Sequence, residues 1–157
     1  MNDAGCLLCD RDRAERELNR TTVWEDDLWR LSMPRRGYTT GFGYLEPKRH
    51  VPHITDLDGA EAATFGTVLA RVTSALKQAA DAEIVYAYVF GGGIPHLHVH
   101  LGPHRADDAL NSSIIRGELT EVPLANGATR MVSTEFAYLP SHEIEAVIDR
   151  ARALLES

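Results

Sequence analysis
Three histidines, His96, His98 and His100, alternate with Leu97, Val99 and Leu101 between a Gly91-Gly92-Gly93 triplet and a Gly102-Pro103 turn. Alternation of period 2 is the pattern of a half-buried β-strand. Read as a strand, it sends Leu97, Val99 and Leu101 into a core and sets the imidazoles on the other face, adjacent ones about 6.7 Å apart. A single strand histidine is ordinarily a solvated or hydrogen-bonded surface residue. Three in strict alternation behind a glycine triplet are costly to explain that way and well suited to a site. Two chemistries compete for them. A neutral imidazole is a nucleophile near pH 7, because its ordinary pKa is about 6.5. His-x-His is equally a metal-ligand pattern, although a cupin-like site would want a carboxylate and another His, and only Gly102, Pro103, His104 and Arg105 follow His100.

The elements that must carry these residues can be read from periodicity. Cys6-Leu7-Leu8-Cys9 is a short loop, followed by a charged segment from Asp10 to Arg20 with helical potential but a thin apolar stripe. Val23 to Leu31 reads as two short strands around the acidic turn Glu25-Asp26-Asp27, and Arg35-Arg36-Gly37 as a basic turn. Thr40 to Leu45 reads as a strand ending at Pro47. A long helix then runs to near Asp81. Asp58 fits its N-cap, with Glu61 three residues on in a capping-box arrangement. Phe65, Val68, Leu69, Val72, Leu76 and Ala79 form one apolar stripe at helical period.

Glu83 to Phe90 is β-branched and aromatic, hence a strand, and the glycine turn makes it the antiparallel partner of the histidine strand. Ser112 to Arg116 and Thr120 to Leu124 are weaker strands. Asn126-Gly127 is a tight-turn signal, and Thr129 to Phe136 a return strand. Pro140-Ser141 opens a last helix with the stripe Ile144, Val147, Ile148, Ala151, Leu154 and Leu155. The expected class is α+β: an antiparallel sheet with one long helix packed on it and a C-terminal helix.

The 157 residues suit one domain, 1–157, with a real core, and 44% hydrophobic with 25% charged residues is the balance of a soluble globular protein. The net charge of −7 argues against nucleic acid as the main partner, so a phosphate ligand has to be held by local features. The first residues have neither a basic nor an apolar region of a leader, and no stretch approaches the ~20 apolar residues of a membrane span. A cytoplasmic protein with no membrane partner is expected. Two cysteines are too few for a disulfide scaffold; in a reducing compartment Cys-x-x-Cys points to metal or redox chemistry.

His96-Leu97-His98-Val99-His100-Leu101 resembles the signature of the histidine triad (HIT) superfamily. Glu46-Pro47-Lys48-Arg49-His50-Val51 resembles that family's Pro-basic-basic-His strand end ahead of the long helix, and Cys6-Leu7-Leu8-Cys9 the Cys-x-x-Cys of many members. The three motifs keep family order over residues 6–103. Residues from about 106 to 157 read as a C-terminal extension outside these motifs.

The resemblance implies a HIT-like antiparallel sheet of about five strands and a homodimer. It implies a small-molecule nucleotide substrate attacked at its α-phosphate through a covalent nucleotidyl-histidine, as a nucleotidyl hydrolase or transferase. His98 then is the nucleophile, and His100 contacts the phosphate or the leaving group. Backbone N–H groups of Gly91, Gly92 and Gly93 are candidates for the phosphate oxygens, since no Cβ intervenes; a plain tight turn is the alternative. Local positive charge has candidates in Lys48, Arg49, Arg105 and Arg116.

The resemblance also implies structural zinc on Cys6, Cys9, His50 and His96, a Cys₂His₂ set of the kind zinc takes in tetrahedral sites. A galactose-1-phosphate uridylyltransferase holds zinc at matching positions. The competing readings are an idle or redox cysteine pair, His50 as a mere orienter of a neighbouring imidazole, and His53 as a rival ligand.

One departure stands out. Hint-type members carry an Asn before the glycine pair and a polar Gln-Ser ahead of the triad, both on the phosphate. Phe90-Gly91-Gly92-Gly93-Ile94-Pro95 is shorter and lacks them. A specialised member is expected, with a non-catalytic nucleotide-binding or regulatory HIT-fold protein as the alternative.

Overall fold
The computed structural model of the chain describes residues 5–90, 93–106, 117–125, 127–135 and 137–156, apart from the side chains of 117–120 and 130–135. The expected strand at 112–116, together with Arg116, lies outside the described residues, as do Gly91, Gly92 and Asn126.

The elements follow in the order α1 (Arg11–Glu17), β1 (Arg20–Glu25), β2 (Trp29–Pro34), β3 (Gly43–Pro47), α2 (Gly59–Ala79), β4 (Ile84–Tyr88), β5 (Val99–His104), β6 (Gly117–Pro123), β7 (Thr129–Glu135) and α3 (Ser141–Glu156). Five strands form one antiparallel sheet in the order β1-β2-β3-β5-β4, while β6 and β7 pair as a separate two-stranded sheet. The fold is α+β, with the long helix and the C-terminal helix where periodicity puts them.

Local chemistry explains the turns. Asp26 accepts the backbone N–H of Leu28 at 2.8 Å and of Trp29 at 2.7 Å, closing the β1–β2 hairpin. Asp10 caps α1 by accepting the N–H of Arg13 at 3.0 Å. Gly127 sits at φ +83°, as the tight-turn signal requires, and its N–H donates to Leu124 O.

One core joins the sheet to both long helices. Trp29, Leu31, Leu45, Val99 and Leu101 come from the sheet, Val68, Val72, Leu76 and Ala79 from α2, and Ile144, Val147, Ile148, Ala151 and Leu155 from α3. The two helices lie against each other, and α3 also reaches β1. The Trp29 indole donates to Thr64 Oγ1 on α2 at 2.9 Å, so the largest fully buried side chain keeps its polar end satisfied.

Two local expectations are corrected. Asp58 is the N-cap residue of α2 as expected, but its side chain makes no cap hydrogen bond, so the capping-box arrangement with Glu61 does not form. Arg49 takes the aspartate side chain instead, donating to Asp58 Oδ1 at 2.6 Å and to both Glu61 oxygens. A guanidinium between two carboxylates outcompetes a backbone amide, and it holds the Glu61 carboxyl below its usual pKa. The strand of the histidine motif begins at Val99, so only His100 of the three lies within it. His96 and His98 stand in the segment ahead of it, where Leu97 N–H donates to Val51 O at 2.6 Å.

Candidate metal centre and active site
His96 has no exposed surface, and its Nε2 lies 2.9 Å from Pro47 O at the end of β3. A proton on Nε2, donated to that carbonyl, leaves the Nδ1 lone pair pointing the other way. Nδ1 lies 3.4 Å from Cys6 Sγ and 3.5 Å from Cys9 Sγ. Nδ1 of His50 is 3.4 Å from Cys9 Sγ. All four donor atoms fall within 4.8 Å of one another.

These separations can be tested against a metal. In a tetrahedral site with Zn–S of ~2.3 Å and Zn–N of ~2.0 Å, an S···N edge is about 3.5 Å. The three S···N distances above, 3.4, 3.4 and 3.5 Å, match that edge, and the remaining separations are within 4.8 Å. Thiol hydrogen bonding alone explains them poorly, because one Nδ1 lone pair is shared by two sulfurs. The second partner of His96, a backbone carbonyl, is of the type that fixes the tautomer of metal-bound histidines. The residues therefore fit a tetrahedral ion. His53, the rival, is exposed, and its backbone N–H donates to Asp56.

Burial lowers the pKa of His96 from its ordinary value, opposed in part by the Pro47 carbonyl and the Glu46 charge. The unfolded chain restores the ordinary value of about 6.5, so below that pH the unfolded state binds a proton that the folded state refuses. Stability from this group is present above about pH 6.5 and is lost as pH falls. The metal-stripped chain is expected to melt progressively lower between about pH 7.5 and pH 5.5. A His96→Gln variant loses that share of the slope. Melting curves in the presence of chelator check it, and an unchanged slope in the variant excludes His96 as its source.

The other two histidines face different surroundings. His98 is half-buried, and its Nδ1 lies 2.6 Å from the carbonyl oxygen of His96. With the proton on Nδ1, Nε2 carries a free lone pair. Its ring centroid is 5.1 Å from that of His100. His100 is the cross-strand partner of Tyr44 on β3 and of Tyr88 on β4. Tyr88 stacks on it at 5.0 Å, and Tyr44, Phe90 and Phe42 surround it at 5.2, 5.7 and 6.1 Å. This aromatic surround went unread in the sequence. Its signal was period 2: Phe42 and Tyr44, Tyr86, Tyr88 and Phe90, then His98 and His100.

The described basic candidates, Lys48, Arg49 and Arg105, make contacts away from His98. Lys48 donates to Asp26 O at 2.9 Å. Arg105, beyond the far end of β5 from His98, donates to Ala80 O at the end of α2. Gly93 is exposed, with room around a Cβ. His104 lies beside Tyr86, and His142 is exposed on the first turn of α3.

A sheet with this strand order, a long helix between β3 and β4, and a histidine trio divided between a cysteine cluster and an aromatic surface defines a histidine triad protein. The family model for the HIT domain matches residues 15–107, and the chain belongs to that family. The nitrilase and fragile histidine triad fusion protein NitFhit of Caenorhabditis elegans is 35% identical over 75 residues, covering 45% of this chain and 17% of its own. The chain thus matches a small part of that relative's length. A hypothetical histidine triad nucleotide-binding protein from Sulfolobus tokodaii superposes with a TM-score of 0.66 at 20% identity, covering 96% of this chain and 92% of its own. A Zn-bound histidine triad family protein from Mycobacterium smegmatis does so at 0.65 and 19%, covering 99% of this chain and 96% of its own. Among the described residues no helix is long and apolar enough to cross a membrane.

Proposed function
We propose that the chain is a nucleotidyl hydrolase or transferase in which His98 attacks the α-phosphate of a small nucleotide. The observation that carries this reading is the 2.6 Å contact from His98 Nδ1 to the His96 carbonyl. That contact fixes the tautomer with an unprotonated Nε2 and aims the ring through backbone rather than through a mobile side chain. The Nε2 lone pair forms the N–P bond while the bond from phosphorus to the leaving group breaks. The leaving group departs with that electron pair and takes up a proton. Water or another hydroxyl acceptor then forms a P–O bond and gives up its proton to solvent, the N–P bond breaks, and its electrons return to Nε2. His100, beside His98, contacts the phosphate or the leaving group, and Gly91, Gly92 and Gly93, which carry no Cβ, are the residues assigned to the phosphate oxygens. Arg105 is left out of this assignment.

Zinc bound by Cys6, Cys9, His50 and His96 would have four protein ligands and no open position, which makes it a structural tie and not a reactant. These residues hold the N-terminal turn against the segment that leads into His98.

The test is a mass increase on His98 after incubation with nucleoside polyphosphates, phosphoramidates and nucleotide sugars. The added mass names the transferred group. Nucleotide bound with no adduct and no turnover across that panel overturns the catalytic reading in favour of a binding protein.

The same reading includes a homodimer. Among the described residues α1 and α3 pack against edge strand β1, whereas edge strand β4 presents exposed apolar side chains, with Ile84 46%, Tyr86 37% and the adjoining Phe90 65% exposed. An open apolar edge beside the site invites a second copy of the chain. Ile84→Lys with Tyr86→Lys is expected to reduce the mass in solution from that of two chains to that of one. Light scattering measures it, and an unchanged dimer rules out this edge.

A further inference from the structure
Behind the cysteine turn lies a buried charged cluster that the proposed chemistry leaves unused. Glu46 has no exposed surface, and Arg20 and Arg30 are 4% and 5% exposed. Arg20 grips both oxygens of Glu46, at 3.1 and 2.9 Å. Arg30, the cross-strand partner of Glu46, donates from Nε to the same carboxylate at 2.7 Å. It also sends Nη2 to the carbonyl of Leu8 at 2.6 Å.

Stability is a weak reason to keep such a cluster, since buried ion triads are often replaced by apolar residues at no loss. Connectivity supplies a better one. Leu8 lies between Cys6 and Cys9. Glu46 precedes Pro47, whose carbonyl faces His96 Nε2. A single carboxylate thus joins the residue that holds the cysteine turn to the strand end that orients the buried histidine. We infer that Arg30 and Glu46 are positioning residues for the Cys₂His₂ centre, holding the two sulfurs against His96 through the Leu8 carbonyl. This rests on the zinc reading above. Arg20 serves as an internal control: it binds the same carboxylate, but among the described residues it makes no hydrogen bond to the turn.

The test is zinc affinity of the full chain, measured by competition with a chromogenic chelator, in Arg30→Lys, in Arg20→Lys and in a triple variant, Arg20→Met, Arg30→Met and Glu46→Leu. Lysine keeps the charge opposite Glu46 but lacks the planar fork that reaches two acceptors at once. Arg30→Lys is expected to weaken zinc by about 10- to 100-fold, the effect typical of partners behind metal ligands, and Arg20→Lys by less than about threefold. The triple variant keeps a packed core without buried charge. It is expected to melt near the wild type when metal-free, yet to bind zinc as weakly as Arg30→Lys. It also carries the test if Arg30→Lys does not fold. Wild-type affinity in Arg30→Lys or in the triple variant overturns the inference, as does an equal loss in Arg20→Lys. A wild-type chain that takes up no zinc overturns the metal reading itself.

Discussion
His98→Ala should lose turnover by on the order of 10⁴-fold or more, as expected when the group that forms the covalent bond is removed. His98 is half-buried, and its ring is held by a carbonyl of its own segment. It lies outside the hydrophobic cluster of Leu45, Val99 and Leu101. The variant should therefore fold, take up zinc like the wild type and still bind nucleotide. His100→Ala is a different experiment, because His100 is ringed by Phe42, Tyr44, Tyr88 and Phe90 and its loss also disturbs packing. Single-turnover kinetics with mass detection separate the cases: no adduct forms without His98. Undiminished turnover by His98→Ala removes the nucleophile from the proposal.

The cluster of Cys6, Cys9, His50 and His96 was legible through the family resemblance, because the Cys-x-x-Cys, the Pro-basic-basic-His run and the first triad histidine are recognisable motifs however far apart they lie in sequence. A nucleophilic imidazole needs its second nitrogen held by a fixed acceptor such as a backbone carbonyl, and that much follows from chemistry. That the acceptor is the carbonyl of His96 was not legible, because no side-chain identity encodes where a carbonyl points. The strand starts later than the alternation predicts for a related reason. Alternation describes which residues are buried, and Leu97 is buried; yet its N–H bonds to Val51, outside the β3–β5 ladder. Asp58 and Glu61 have the spacing of a cap, but sequence gives no sign that Arg49 folds back between them. Arg20, Arg30 and Glu46 look like solvated strand residues because charged side chains are seldom buried without partners. Here the partners are one another, brought together by strand pairing that becomes visible only in three dimensions.

Loss of the metal should cost more than loss of any single hydrogen bond. Wild-type protein is expected to carry one zinc per chain by elemental analysis, and Cys6→Ser none at stoichiometric level. A ligand present at a thousand times its dissociation constant stabilises the folded state by about 4.1 kcal/mol. For a chain of this size each kcal/mol shifts the melting temperature by about 2–4 °C, so chelation or Cys6→Ser should lower it by about 8–16 °C. The loss should extend to catalysis, because His96 is shared: its ring faces the cysteines, and its carbonyl accepts the hydrogen bond from His98 Nδ1. Releasing that ring frees the carbonyl to move, and turnover should fall even though neither reacting imidazole has changed. His98→Ala supplies the contrast, since it should abolish turnover and leave zinc content untouched. Zinc retained by Cys6→Ser but lost from His98→Ala would assign the metal to the triad and reverse the division of labour among the three histidines.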